Sequence, residues 1–177
     1  MKIVLFLSAC LVLSVNTISQ PTQIAWEATA VRVSFTIDNA GLTVNGKFGE
    51  VEGQFITDVA GKVPVLITGV AKVKSIATGI GLRDRHLQGA DYFDAKRYPE
   101  LRMQLLSADE KSARFAIIIR GKTKTIAVPY VFKTTGERAA FSCSFELNRR
   151  DFGVGGASLI MSDKVVANIE LDLRKKK

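Results

Sequence analysis

Apolar and polar positions alternate along most of this chain with a period of two. Val31, Val33, Phe35 and Ile37 interleave with Arg32, Ser34, Thr36 and Asp38, the pattern of a strand with one face buried. Asn39-Ala-Gly41 then predicts a turn. A longer extended stretch follows over residues 42–57, where Gly46, Gly49 and Gly53 mark bends or close packing within a strand. A third strand is predicted over residues 63–74, with Val63, Val65, Ile67, Gly69, Ala71 and Val73 on one face.

Residues 75–100 break the rhythm. Leu82 to Gly89 is short and charged and ends in glycine, which predicts a brief helix. Asp91-Tyr-Phe-Asp94 and Tyr98-Pro99 read as an ordered loop carrying aromatic side chains. Alternation then returns in Leu101, Met103, Leu105, in Ala113, Phe115, Ile117, Ile119 and, past a turn at Gly121-Lys122, in Ile126, Val128, Tyr130, Phe132. Pro129 falls on the opposite face and requires a bulge or an unpaired position, because it has no N–H to give a ladder. Gly136 turns the chain into Ala139, Phe141, Cys143, Phe145, Leu147, and a glycine-rich connection over 151–156 leads to Val165, Ala167, Ile169, Leu171, Leu173.

The pattern therefore predicts an all-β domain of eight antiparallel strands. One helix-containing excursion separates the third strand from the fourth. Closing such a set into a barrel removes every exposed edge. A two-sheet sandwich fits the same alternation.

The start of the chain has a different texture. Lys2 precedes an apolar run from Ile3 to Val15, followed by Asn16, Thr17, Ile18 and Ser19. This predicts a secretory signal over residues 1–19, too short to span a bilayer, with the domain occupying residues 20–177. Leu7-Ser8-Ala9-Cys10 matches a lipoprotein cleavage pattern, but cutting there would split the apolar run, so ordinary cleavage just before Gln20 is expected. The expected location is the periplasm or the exterior.

Charge and composition remove most chemistry. The net charge of +8 is spread along the chain apart from the basic run Arg174–Lys177, a solvated tail that leaves peripheral membrane contact open. Without Cys10, Cys143 is the single cysteine; it alternates with Phe141 and Phe145 and reads as a buried, inert thiol. One histidine and one cysteine give no zinc cluster, and no Gly-x-Ser-x-Gly occurs. His86, between Asp84 and Leu87 and next to Arg85, reads as a salt-bridged structural residue. Nucleic acid is not an expected partner, because the phenylalanines share faces with aliphatic residues while Arg32, Lys72, Lys74, Arg114 and Arg120 take the opposite ones. No catalytic residue, metal site or cofactor is expected. The interior is what remains: an eight-stranded barrel is just wide enough to be filled by its own side chains or to hold one small ligand.

The excursion carries the most specific motifs. Ser75-Ile-Ala-Thr78, Arg83-Asp-Arg-His-Leu87, Asp91-Tyr-Phe-Asp94 and Tyr98-Pro99 occur in this order, with Gly121-Lys-Thr-Lys124 and Asn148-Arg-Arg-Asp-Phe-Gly153 downstream. In this arrangement the chain resembles the YceI-like family, exported bacterial proteins with a lipocalin-like barrel that bind polyisoprenoids. It departs from the family before and after the first strand core, where Glu27-Ala-Thr-Ala-Val31 and Asp38-Asn39 stand in place of Asp-x-x-His-Ser and a later histidine. The resemblance implies a non-catalytic protein holding a long isoprenoid-type chain, polyprenyl or quinone-like, for storage or transport. The apolar interior residues expected to meet that chain are Val33, Phe35, Phe48, Phe55, Ile67, Tyr92, Phe93, Met103, Leu105, Phe115, Ile117, Tyr130, Phe132, Phe141 and Phe145. The alternative is an interaction module with a solidly packed core.

Processing is directly testable. Intact-mass measurement on protein from the native host is expected to give a chain beginning near Gln20 without lipid; a mass matching an acylated start at Cys10 would refute this.

Overall fold

A computed structural model describes residues 23–177; the expected signal segment and Cys10 lie outside the described residues. The strands are β1 (Ile24–Asn39), β2 (Leu42–Phe48), β3 (Val51–Thr57), β4 (Pro64–Lys72), β5 (Ile76–Ala77), β6 (Glu100–Ala108), β7 (Ser112–Ile119), β8 (Lys122–Thr135), β9 (Arg138–Asn148) and β10 (Met161–Lys175). A helix α1 (Gly81–Leu87) and two 3-10 turns, Val73–Ser75 and Arg149–Phe152, complete the chain.

All pairings are antiparallel, and eight strands close a ring in the order β1-β3-β4-β6-β7-β8-β9-β10, with β10 returning to β1. The fold is thus a closed barrel and not a sandwich. β2 and β3 are the two halves of the stretch predicted over 42–57. The first half pairs with the end of β1 from Val33↔Phe48 to Asn39↔Leu42, the second with its beginning at Ile24↔Thr57 to Trp26↔Phe55. The break falls at Gly49-Glu50. The two-residue β5 then adds to β2 through Lys47↔Ala77 and Phe48↔Ile76.

Local chemistry explains the turns. Ala40 and Gly41 (φ 53° and 78°) join β1 to β2, and Arg120 and Gly121 (φ 50° and 71°) join β7 to β8. Two consecutive positive φ values suit a two-residue hairpin, because that backbone twist matches the twist of the flanking strands. Pro129 takes the unpaired position its chemistry demands. Tyr130 gives its N–H to the Lys111 carbonyl on the β7 side, so the proline nitrogen faces β9, whose ladder with β8 begins only at Tyr130↔Cys143.

One predicted face differs. Alternation puts Val65 inward with Ile67, yet it is exposed while Pro64 is buried. The register passes from Ile56↔Leu66 to Thr57↔Pro64, so Val65 is an extra residue in β4. A bulge of this kind reverses the alternation beyond it.

The wall is incomplete where β8 and β9 diverge, and the second 3-10 turn packs into that region against β8 and β10. Its Phe152 is buried in the core. Arg149 anchors the chain that follows. It is 5% exposed and donates to the carbonyls of Ser162 (2.9 Å), Val154 (2.9 Å) and Gly156 (3.0 Å) and to the Asp163 carboxylate (2.7 Å). Only a planar guanidinium spans so many acceptors. Arg149→Lys is therefore expected to cost about 2–3 kcal/mol by leaving buried carbonyls unpaired; a denaturation midpoint equal to wild type would contradict this anchoring role.

Candidate functional site: an apolar cavity open at one end

The barrel interior is filled unevenly. At one end the rings of Trp26, Phe55, Tyr130, Phe132 and Phe141 pack against one another, with centroids 5.2 Å apart for Phe55–Phe132, 5.3 Å for Phe55–Phe141 and 5.5 Å for Tyr130–Phe141. Their polar atoms are satisfied: the Trp26 indole N–H donates to Thr57 Oγ1 at 3.1 Å, and the Tyr130 hydroxyl donates to the Asp109 carbonyl. Phe115 and Val128 are fully buried beside them. This end is a solid floor.

Above the floor the large side chains give way to small ones. Gly53 and Gly69 face each other across β3 and β4, in the layer of Met103 and Ile117. A side chain at Gly53 would run into the Thr68 carbonyl, 2.1 Å from the added carbon. The result is a cavity of about 260 Å³, where a single water needs roughly 10–15 Å³ of such space.

Eleven of the expected contact residues line this cavity: Val33, Phe35, Phe48, Phe55, Ile67, Tyr92, Phe93, Met103, Ile117, Phe141 and Phe145. Leu105, Phe115, Tyr130 and Phe132 do not. They face inward, as alternation requires, but sit in or beneath the floor, where neighbouring side chains cover them. Leu101, Leu147, Ile169 and Leu171 also line it; they belong to the same alternating faces and were legible there. Phe152, Val154, Arg149 and Thr78 line it as well, from short or irregular segments with no periodic signal, and so does Arg83 from α1.

The excursion covers part of the top. Phe93 meets Phe48 edge-on at 6.2 Å, and Tyr98 lies against Gly121 of the β7–β8 turn. Arg120 donates to the Ala90 and Gly153 carbonyls, and the Gly155 N–H donates to the Asp91 carbonyl at 2.8 Å. The cover is thereby tied to β7, β8 and the loop after Arg149. On the opposite side Ile37, Asn39, Val44, Met161 and Val165 line the cavity at the end remote from the floor, and this is the mouth.

Polar chemistry is sparse. Arg83 reaches the lining from α1, donating from Nε to Thr78 Oγ1 and from an Nη to the Thr78 carbonyl, both at 2.7 Å. It makes no ion pair among the described residues. Asp84 accepts from the Thr78 N–H and hydroxyl at 2.8 and 2.5 Å. The salt bridge expected for His86 is therefore replaced: among the described residues it pairs with no carboxylate, and its exposed ring rests edge-on against Tyr92 at 4.9 Å. Cys143 is buried as expected, and burial pushes its thiol up to about 12. The thiolate is thus scarce near neutral pH.

A closed eight-stranded antiparallel barrel with an apolar interior cavity belongs to the lipocalin-like class of β-barrels. Within that class, the YceI-like domain model matches residues 25–174, and the chain belongs to that family. A UPF0312 protein of Pseudomonas putida (strain W619) is 31% identical over 140 residues, covering 70% of this chain and 71% of that one. The crystal structure of Burkholderia cenocepacia BcnA superposes with a TM-score of 0.72 at 23% identity, over 80% of this chain and 95% of that one. A polyisoprenoid binding domain from Saccharophagus degradans, implicated in plant cell wall breakdown, gives 0.69 at 14% identity, over 86% and 98%. These structural likenesses describe the fold.

The cavity's width near the mouth depends on one glycine. The Phe35 ring lies over Gly46, its cross-strand partner, so close that an added carbon would stand 2.1 Å from Phe35 Cζ. Gly46→Ala is expected to displace that ring and to cost about 1–3 kcal/mol, the usual range for overpacking. A melting curve coincident with wild type would show that the ring has room to move freely.

Proposed function

We propose that this protein is exported and holds one long apolar chain of isoprenoid type, polyprenyl or quinone-like, in the barrel for storage or transport, without catalysis. The observation that carries this reading is the cavity itself, bounded below by an aromatic floor, walled by aliphatic and aromatic side chains, and open at one end. An apolar chain entering it leaves water, at roughly 0.8 kcal/mol per methylene. Ten methylenes would contribute about 8 kcal/mol before ordering costs, the scale of a micromolar complex. Membership of the family, and a structural neighbour described as a polyisoprenoid binding domain, agree with this choice of ligand.

Arg83 gives the site a direction. Of the three arginines on the lining, Arg149 is consumed by buried carbonyls and Arg102 is exposed and paired with Glu100, whereas Arg83 has donors left over. A ligand with a polar or anionic terminus fits with that terminus beside α1 and its chain toward the floor. The alternative of an interaction module with a packed core calls for a filled interior, which the floor has and the layer above it lacks.

The test is organic extraction and mass spectrometry of protein purified from its native host, run on wild type and Ile117→Trp. Ile117 lines the cavity beside Met103. The wild type is expected to yield an isoprenoid lipid. The variant is expected to yield less of it, or shorter chains, while losing about 1–3 kcal/mol of stability. Wild-type protein that carries no lipid, with a variant that is merely less stable, would refute the holding role.

A further inference from the structure

Large apolar side chains exposed to water are concentrated at one end of this barrel. Leu42, Ile80, Leu82, Leu159 and Ile160 are each more than half exposed, Leu159 completely. Leu42 follows the Ala40-Gly41 turn and pairs with Asn39, which lines the mouth. The Ala40 N–H donates to the Ile160 carbonyl at 2.7 Å, which brings Leu159 and Ile160 against that turn. The antiparallel β2–β5 pairing sends the chain after Ala77 along β2 toward the same turn. Ile80 and Leu82 follow there, between Thr78 and Arg83, both on the cavity lining. The other four exposed large apolar residues, Val59, Val65, Leu106 and Val131, lie at the level of the floor on the β3–β4 turn and the outer faces of β4, β6 and β8, and none lines the cavity.

Single exposed apolar residues are ordinary, but a cluster continuous with an apolar cavity marks a surface made for contact. Charge identifies the partner. Lys47, Lys74 and Arg85 are exposed on β2, the first 3-10 turn and α1, with no carboxylate within 4.0 Å among the described residues. Of the carboxylates at this end, Asp163 is neutralised by Arg149, while Asp38 and Asp84 accept from the Thr43 and Thr78 hydroxyls and keep their charge, as does Glu50 beside the first 3-10 turn. Apolar side chains flanked by cations on the β2 and α1 side suit the interface of a membrane bearing negative charge.

We propose that the mouth end of the barrel docks on a lipid bilayer containing anionic phospholipid, with Leu42, Ile80, Leu82, Leu159 and Ile160 entering its interface. This rests on the lipid-holding role proposed above. A chain leaving the cavity through water is disfavoured by roughly fourfold for every methylene exposed, and a mouth pressed into the bilayer removes that barrier. The basic tail does not do this work. Lys175 pairs with Trp26, and the Lys176 N–H donates to the Ala25 carbonyl, so the tail sits at the floor. Docking by the tail would turn the mouth away from the membrane.

Flotation with vesicles of phosphatidylcholine, with and without phosphatidylglycerol, tests the proposal on the full chain expressed and processed in a bacterial host. Leu159→Asp/Ile160→Asp is expected to lower the vesicle-bound fraction at least about tenfold. Melting temperature and extractable lipid should stay at wild-type values, since neither residue lines the cavity. Leu42→Asp should act in the same direction from a different strand, and Lys175→Gln/Lys176→Gln/Lys177→Gln should bind as wild type. Undiminished binding by the loop variant, lost binding by the tail variant, binding only by chains retaining residues 1–19, or lipid-loaded wild type that fails to float would each overturn the proposal. Mouth-dependent flotation by protein without extractable lipid would support docking while refuting the holding role.

Discussion

The ladder between β1 and β10, running from Trp26↔Lys175 to Asn39↔Met161, is the constraint on which the rest of the molecule depends. It joins strands from opposite ends of the described chain and closes eight of the strands into a ring, with β2 and β5 as a branch from β1. Its outward pairs are charged: Arg32 bonds Glu170 and Asp172, and Arg174 bonds Glu27. Such exposed ion pairs contribute little each. The register is held instead by inward pairs such as Val33↔Ile169 and Val31↔Leu171, because a slip of one residue would send every apolar side chain to the solvent face.

Once the ring is closed, alternation becomes an instruction for filling a bore of fixed width. Aromatic side chains meet across the lower bore and leave no passage. Higher up, Gly53 faces Gly69, Gly46 lies beneath the Phe35 ring, and the strands can no longer reach one another. The cavity is therefore a difference in side-chain volume between two levels of one barrel. The same close packing makes it sensitive to single methyl groups in its walls.

Two irregular segments determine where the cavity opens. The excursion between β4 and β6 and the loop after Arg149 are bonded to each other through Arg120 and Gly155, and together they cover the β7–β8 side. The hairpin of β1 and β2 and the start of β10 are left as the rim. Arg149 lies at the centre of this arrangement, buried and saturated with acceptors, while Arg83 has donors to spare. Arg83 and Arg149 on one cavity thus have different work, set by what already surrounds each.

Most of the strands, their inward faces apart from Val65, the position of the excursion and the burial of Cys143 were legible in the sequence, because side-chain direction in a strand has a period of two and needs no partner to be read. The family motifs clustered in the excursion pointed to the same barrel. Depth along the bore was another matter. Phe115 and Phe48 occupy equivalent places in their alternating runs, yet one is sealed beneath the floor and the other lines the cavity. Only the registers, with the shift at Val65, decide which level of the barrel a residue reaches. Arg149, Phe152, Val154 and the partner of Asp84 were likewise illegible, since their roles come from contacts between segments distant in the chain. Closure itself was a tertiary decision: the same alternation suits a sandwich, and it is the meeting of β1 with β10 that excludes one.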